Sequence, residues 1–489
     1  GDGRAPMGKR ALEHWLQPLA PGAKRLRHAL GWVLPQAVLT QPAEAVHNDG
    51  RDNAEHDYIC RVGERIPVPE SGVAYEVLGS LGRGTFGQVL RCRSAASGQL
   101  AALKIIKHEA FCPGISLQAA EEVRVLKELG RCGASSQGHI VQMLDSFVHH
   151  GHICIAFELL GPDLLKVLER DGNPGMPLAF IRAVAEQLLS ALQRLSCASV
   201  IHGDLKPENV LLVNDRRPLV TGREPQFKLI DFGTAQISTR VAETEDVIIQ
   251  TLPYRAPEVL LGLSYTCAVD MWSFGCICAE LLLGRPLFPH GGTEHDVVRN
   301  TLELLGPIPE HMLKAGRNTA RYFHRSAFPT GLGGEGGAAK GLWRGLMAAC
   351  WRRRPQMLVG ALLRAAFSRG RPGDGRGPRW DYRLKSLRQQ EEELSHGPIT
   401  SLEQAISLLR YEISWTRARI PRRLRPEDVQ TQRTSRLQLL DFLLRCLQTN
   451  PDERWPPARA SRHAFVLGAA AARGCRAKTP RAWSLGGSV

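Results

Sequence analysis

The chain has 489 residues, 43% of them hydrophobic, with a formal net charge of +15 and a pI near 9.5. This suits one large two-lobed domain, or roughly two to four ordinary ones, with a sizeable core, and the basic excess favours acidic partners unless it sits in solvated segments. Twelve cysteines without a CxxC pair exclude a disulfide framework and point to a reducing, intracellular compartment.

The sequence begins Gly1-Asp2-Gly3 with no initiator methionine, as a fragment or a processed chain would, and it carries no secretory signal pattern. No apolar run is long enough for a spanning helix, so no membrane partner is expected. Residues 1–70 are rich in Pro, Ala, Arg and His without sustained periodicity, so a basic, disordered N-terminal segment is expected. Within it, Lys9-Arg10 and Lys24-Arg25-Leu26-Arg27 read either as a bipartite nuclear-import signal or as a solvated basic tail.

At Tyr75 the character changes. A β-like run starts at Tyr75-Glu76-Val77-Leu78, is broken by glycines and resumes at Gln88-Val89-Leu90; Ala101 to Ile106 reads as another strand. Leu117 to Leu129 has Val123, Leu126 and Leu129 at helical spacing, and Ile153 to Phe157 is a short buried strand. From Leu164 onward helices dominate, as over Phe180 to Leu195 and Val269 to Leu283. A strand-rich start followed by a helical body predicts an α+β, two-lobed domain over 75–465 instead of alternating βαβ units. The lobes are expected at 75–158 and 161–465, with a disordered tail over 466–489.

Residues 326–378 break this pattern. Gly331-Leu332-Gly333-Gly334-Glu335-Gly336-Gly337 is linker-like, and a basic stretch runs from Arg352-Arg353-Arg354 to Arg369-Gly370-Arg371-Pro372-Gly373, with a short helix over Met357 to Phe367. An insertion is expected there. A nucleic-acid-binding arm is the sharper alternative, but charge alone supports it and no aromatic-basic platform accompanies it, so direct nucleic-acid binding is not expected.

Four motifs carry chemistry. Leu81-Gly82-Arg83-Gly84-Thr85-Phe86-Gly87-Gln88-Val89 contains G-x-G-x-x-G, which opens a dinucleotide-binding turn only when a helix follows; here a β-like run follows, giving a hairpin whose glycines let the backbone approach phosphates. Ile201-His202-Gly203-Asp204-Leu205-Lys206-Pro207-Glu208-Asn209 is the most specific string. Asp204 suits a base that takes the proton of an attacking hydroxyl, Lys206 neutralises charge on a transferred phosphoryl, and Asn209 can bind a metal ion. Asp231-Phe232-Gly233 follows a hydrophobic strand over Phe227 to Ile230, and its carboxylate can bridge Mg²⁺ to phosphates. Ala256-Pro257-Glu258 closes the segment after it, and Glu258 is expected to pair with Arg454 as a buried structural ion pair.

Together these motifs resemble the eukaryotic protein kinases from Tyr75 to about Phe465, apart from the insertion. Within that group the chain is similar to the homeodomain-interacting protein kinases, relatives of the dual-specificity tyrosine-regulated kinases. The residues that carry the finer likeness are Leu229-Ile230-Asp231-Phe232-Gly233-Thr234-Ala235, Tyr254-Arg255-Ala256-Pro257-Glu258-Val259-Leu260-Leu261-Gly262-Leu263, Ala315-Gly316-Arg317-Asn318-Thr319 with Arg321-Tyr322-Phe323, and Tyr382-Arg383-Leu384-Lys385-Ser386-Leu387 after the insertion. The resemblance implies a bilobal fold and a serine/threonine kinase that uses ATP and Mg²⁺. It makes Lys104 the lysine on the α/β-phosphates, with Glu122, or its neighbour Glu121, as the carboxylate that orients it. It implies adenine docking at the hinge Glu158-Leu159-Leu160 with Phe157 as gatekeeper, Leu211 as the floor and Val89 as the roof. It also implies action in the nucleus, and also the cytoplasm, on protein substrates such as transcription factors or corepressors.

Three departures from the family pattern bear on regulation. Gly203 stands where most kinases carry an arginine that pairs with a phosphorylated loop, and Ile248 aligns with the family's activation-loop tyrosine, so loop phosphorylation is expected to matter less. Leu252 replaces the arginine three residues before Arg255, which puts a preference for proline after the phosphorylated residue in doubt. An active kinase and a weak scaffold on the same fold both fit; the complete set Lys104, Glu122, Asp204, Asn209 and Asp231 favours activity.

Overall fold

The computed structural model describes residues 37–69, 71–111, 113–131, 138–170, 175–213, 225–237, 248–288, 291–327, 380–384 and 426–471. The chain divides into two compact units, residues 1–115 with 147–156 and residues 116–146 with 157–489.

The first unit is built on a sheet of six strands in the order β1-β2-β3-β4-β6-β5: β1 (Arg65–Pro67), β2 (Ala74–Gly84), β3 (Gly87–Ser94), β4 (Leu100–Ile106), β5 (Met143–His149) and β6 (His152–Glu158). β1 to β4 pair antiparallel in sequence order. β-branched and aliphatic residues alternate along them, so Val77, Leu90, Leu103 and Ile105 are buried while Lys104 sits on the half-exposed face opposite Val89. Gly87 starts β3 for a steric reason: a Cβ there would lie 2.1 Å from the Ile105 carbonyl oxygen.

Residues 37–69 correct an expectation. They form a packed part of this unit, with Tyr58, Ile59, Cys60 and Ile66 buried. Their order comes from local polar chemistry, not periodicity. Asn53 Oδ1 accepts from the amides of Glu55 and Asp57, and its Nδ2 donates to the Pro42 carbonyl. His152 brings both ring nitrogens to acceptors, the Ile106 carbonyl at 2.8 Å and Asp52 Oδ1 at 2.9 Å, and both His152 and Asp52 are fully buried. Residues 1–36 lie outside the described residues.

The second unit is mainly helical: α1 (Ile115–Arg131, entering at Ser116), α2 (Leu164–Arg170), α3 (Leu178–Cys197), α4 (Ala268–Leu283), α5 (Glu294–Leu305), α6 (Pro426–Cys446) and α7 (Ala464–Ala471), with shorter helical turns between them. Short strand pairs β7 (Val200–Ile201), β8 (Val210–Leu212), β9 (Phe227–Leu229) and β10 (Gln236–Ile237) carry the catalytic-type motifs, β8 pairing with β9 and β7 with β10. α4 is buried continuously from Val269 to Leu281, as its run of apolar residues requires, and ends at Gly284, whose φ of 73° gives a left-handed cap. α7 corrects a second boundary: residues 466–471, expected in the disordered tail, continue this element past a kink at Gly468 (φ 70°), and Val466 is buried.

The expected insertion lies outside the described residues between 328 and 379. Its two flanks pair antiparallel as β11 (Phe323–Ala327) and β12 (Trp380–Leu384), so the backbone that leaves at 327 returns beside itself at 380. No helix among the described residues is long and apolar enough to cross a membrane.

Glu258 and Arg454 make the expected pair. Arg454 donates from Nη1 and Nη2 to Glu258 Oε1 and Oε2 at 2.7 and 3.0 Å, and also to the carbonyls of Ala268 and Gln448. Both side chains are almost fully buried, so losing one leaves the other charged and unsatisfied. Arg454→Ala is expected to destabilise the second unit by about 3–5 kcal/mol, read from the shift in its chemical-denaturation midpoint; a shift below about 1 kcal/mol would contradict the pairing as a structural anchor.

Candidate active site

The site residues of the first unit lie on the β2–β3 hairpin and on β4. Leu81, Gly82, Arg83, Gly84, Thr85 and Phe86 are exposed, whereas Gly87 and Gln88 are buried and Val89 is half-buried. Glycines 82 and 84 have no atom within 4 Å of where a Cβ would stand, so the hairpin offers open backbone to a ligand. β3 follows directly, as a phosphate-binding hairpin requires and a dinucleotide turn forbids. One sequence expectation changes here: the Gln88 side chain faces residues 40–60, with its Nε2 donating to the Tyr58 carbonyl at 2.5 Å, so it cannot meet a ligand on the exposed rim.

The catalytic-type loop of the second unit hangs from α4. Asp270, buried at the start of that helix, accepts from the backbone amides of His202 (2.8 Å) and Gly203 (3.1 Å). Burial raises its carboxyl pKa, and the neighbouring His202 and these two amides oppose that rise. Gly203 has φ 77°, and a Cβ there would come within 2.9 Å of the Thr234 carbonyl oxygen, so glycine is the unstrained choice.

Asp204 is fixed on both carboxylate oxygens. Oδ1 accepts from the Thr251 hydroxyl at 2.7 Å and the Thr251 amide at 3.1 Å, and Oδ2 accepts from Lys206 Nζ at 2.6 Å. Lys206 also reaches the Thr251 hydroxyl at 3.2 Å. The carboxylate is one-sixth exposed, so a hydroxyl can reach an oxygen held in one orientation. Thr251 is a partner of the candidate base that sequence reading missed; nothing in its neighbourhood marks it before the chain brings it back beside Asp204.

Asn209 donates its Nδ2 to the Asp204 carbonyl at 2.7 Å, which leaves Oδ1 as an oxygen donor. Asp231 sits at φ 63°, a left-handed conformation uncommon for a non-glycine residue and concentrated at functional positions. Phe232 behind it is buried against His202, ring centroids 5.0 Å apart, and His202 Nε2 lies 3.0 Å from the Ile230 carbonyl. An amide oxygen and a carboxylate are hard donors that fit Mg²⁺, which prefers oxygen ligands and retains waters.

α1 turns Glu122 inward, 2% exposed, whereas Glu121 is more exposed and pairs with Arg124. Gln118 on the same helix donates to the Gly233 carbonyl at 2.6 Å, tying α1 to the Asp231 segment within the second unit. At the hinge-type segment Glu158 Oε1 accepts from Lys228 and from the Gln142 amide, and the Glu158 amide donates to the Gln142 carbonyl at 3.1 Å. Leu160 and Leu211 are half-buried there.

Sequence reading also missed a carboxylate pair. Glu280 lies in the apolar run of α4, 1% exposed, where a lone charged residue is itself a signal. Its Oε2 accepts from the Tyr254 hydroxyl at 2.7 Å, while its Oε1 and the Oε2 of nearby Glu208 are buried without a partner among the described residues. Burial pushes the Glu280 carboxyl up to about 7, with Glu208 adding repulsion.

The family profile described as a protein kinase domain matches residues 75–357. The chain is 34% identical over 444 residues to the serine/threonine-protein kinase ppk15 of Schizosaccharomyces pombe, covering 90% of this chain and 71% of that protein. It is 35% identical to the dual specificity protein kinase YAK1 homolog of Arabidopsis thaliana, covering 90% of this chain and 41% of that one. It is 32% identical to the dual specificity tyrosine-phosphorylation-regulated kinase 3 of Rattus norvegicus, covering 86% of this chain and 58% of that one. The chain thus spans less than two thirds of the latter two proteins.

The geometry at Gly203 gives a test. Gly203→Ala places a Cβ on a left-handed residue and against the Thr234 carbonyl, so it is expected to lower stability by about 1–2 kcal/mol, measured by urea denaturation. No measurable change would show that the loop relaxes freely at this point.

Proposed function

The chain belongs to the protein kinase family, and we propose that it transfers the γ-phosphate of ATP to serine or threonine hydroxyls in basic protein segments. The single observation that carries this reading is the Asp204 carboxylate, oriented on both oxygens by Thr251 and Lys206. In the proposed step the substrate hydroxyl oxygen bonds to the γ-phosphorus as its proton passes to Asp204. The bond from that phosphorus to the bridging oxygen breaks, and ADP leaves. Lys206 lowers the cost of charge at the transferred group.

Asn209 and Asp231 are the residues that would hold Mg²⁺, whose chemistry when bound is to neutralise phosphate charge. The exposed glycine hairpin and Lys104 are assigned to the phosphates. The backbone of Glu158 to Leu160, with Leu211 and Val89, is assigned to the adenine, as in the family the sequence resembles.

The substrate class follows from the unpartnered oxygens of Glu208 and Glu280. Each carboxylate keeps one oxygen without a partner among the described residues, and their combined negative charge favours a guanidinium or ammonium group nearby. The next feature concerns the residue after the phosphorylated one. Gln250, beside Thr251, has φ 66°, and its carbonyl is taken up by Arg255 at 2.9 Å. A substrate N–H cannot pair with that carbonyl, so proline, which has none, loses nothing there. This supports a preference for proline at that position, which Leu252 puts in doubt.

The finer placement with the homeodomain-interacting kinases and the nuclear role on transcription regulators are also proposals. They rest on the family resemblance and the basic clusters at Lys9-Arg10 and Lys24 to Arg27. Imaging of a tagged chain tests the location; exclusion from the nucleus contradicts it.

In a peptide-library assay with ATP and Mg²⁺, phosphorylation is expected on serine or threonine in arginine-containing, proline-followed peptides and is expected to vanish in Asp204→Asn. Turnover in the wild type no higher than in that variant sinks the enzyme reading. Because burial pushes the Glu280 carboxyl up to about 7, its ionised form is expected to be gained as pH rises through that value. The KM for a basic peptide is therefore expected to fall between pH 6 and pH 8, and Glu280→Gln is expected to flatten that profile. A pH profile identical in the two would remove Glu280 from the substrate site.

A further inference from the structure

We propose that residues 40–60 set the position of the glycine-rich hairpin by gripping Arg83 and Gln88, which makes Asp57 a positioning residue for nucleotide binding. The proposal rests on the kinase reading above and deepens it. It concerns a segment that composition marked as unstructured.

The hairpin is held on both strands. On β2, Arg83 stands between Gly82 and Gly84, and its guanidinium reaches three acceptors of the N-terminal segment: Asp57 Oδ2, Glu55 Oε2 at 2.7 Å and the Gln41 carbonyl. On β3, Gln88 is 4% exposed, its Oε1 is 2.9 Å from the Thr40 hydroxyl and its Nε2 donates to the Tyr58 carbonyl. The tip between them is tied once more by the Lys107 amide, which donates to the Phe86 carbonyl at 3.0 Å. Residues 81–86 stay exposed on the other side.

The grip has a physical consequence. Gly82 and Gly84 have no neighbour within 4 Å of a Cβ position, so nothing on the exposed side restrains them. A glycine hairpin free of restraint samples many backbone positions, and a ligand that needs one of them loses affinity by that entropy. Anchoring Arg83 and Gln88 from behind removes the cost before the ligand arrives. Arginine suits the task because its planar fork meets several oxygens at once, which a lysine ammonium does less well.

The Arg83 contact is separable from folding. Asp57 is 1% exposed but also pairs with Lys107 Nζ at 3.3 Å, and Lys107 donates to the Glu55 carbonyl at 2.8 Å. Removing Arg83 therefore does not strand Asp57 as an unpaired buried charge. Arg83 itself is one-third exposed.

The experiment compares the full chain with Asp57→Asn, Arg83→Ala, the double variant and Arg83→Lys. Two readouts are used: ATP affinity by calorimetry, and steady-state KM for ATP and for peptide. Each single variant is expected to weaken ATP binding and raise the KM for ATP about 3- to 10-fold, with the KM for peptide within about twofold of wild type. The double variant is expected to be no worse than the worse single one, and Arg83→Lys to fall between.

Unchanged ATP affinity in the single variants, or effects that multiply in the double variant, would overturn the proposal. If Asp57→Asn proves poorly folded, Glu55→Ala removes an exposed acceptor of the same guanidinium and is held to the same outcome. A wild-type chain that binds ATP but never phosphorylates peptide overturns the kinase reading alone, and the calorimetric comparison then still decides the grip.

Discussion

The rest of the second unit depends on one buried carboxylate. Asp270, at the start of α4, takes the amides of His202 and Gly203 and so fixes the backbone from which Asp204 projects. A carboxylate at this depth is costly unless its acceptors are filled, and the cost is offset because two backbone amides with no strand partner need an acceptor there. The same helix carries Ser273, which donates to the Tyr254 carbonyl and accepts from Gln250, and Trp272, over which Arg454 lies. A single buried helix thus serves as the reference for the catalytic loop, the segment after Asp231 and the Glu258–Arg454 pair.

Residues 249–255, at the described end of the activation-type segment, are held in place by protein groups. Gln250 donates its amide to the Gly203 carbonyl at 2.7 Å, and Arg255 bonds the carbonyls of Ile249 and Gln250 and the carboxylate of Glu294 at 2.8 Å. Glu294 is in turn shared by the Tyr322 hydroxyl and by Arg321. Burial lowers the Arg255 pKa, and the Glu294 carboxylate opposes that fall, as a fixed anion beside a partly desolvated guanidinium must. This arrangement agrees with a loop that carries Ile248, 70% exposed, where the resembled family has a tyrosine. The anion that orders the segment is a carboxylate of α5.

Legibility in the sequence followed the kind of signal each part carries. The strands and long helices were readable because their burial repeats with a period of two or near 3.6, and β2 to β4, α1, α3 and α4 stand where the pattern put them. Asp204, Lys206, Asn209 and Asp231 stood out as candidates because their spacing is tied to a single local chain path. Residues 37–69 were not, since they are ordered by side chain to backbone bonds around Asn53, Thr40 and Asp52, which leave no periodic trace. The Glu121 and Glu122 alternatives were one residue apart on a helix, and only the direction of α1 could separate them.

The sequence by itself determined the family, the order of the catalytic-type residues and the Glu258–Arg454 partnership, because each is fixed by residue type at a set spacing. The tertiary structure decided what those residues are held by. It placed Thr251 against Asp204, turned Gln88 away from the ligand rim, brought the Tyr254 hydroxyl onto Glu280, and set Arg83 in the grip of Asp57 and Glu55. Each of these joins residues at least 26 positions apart. No local propensity encodes such a contact; only the packing of the sheet and of α4 brings the partners within reach of one another.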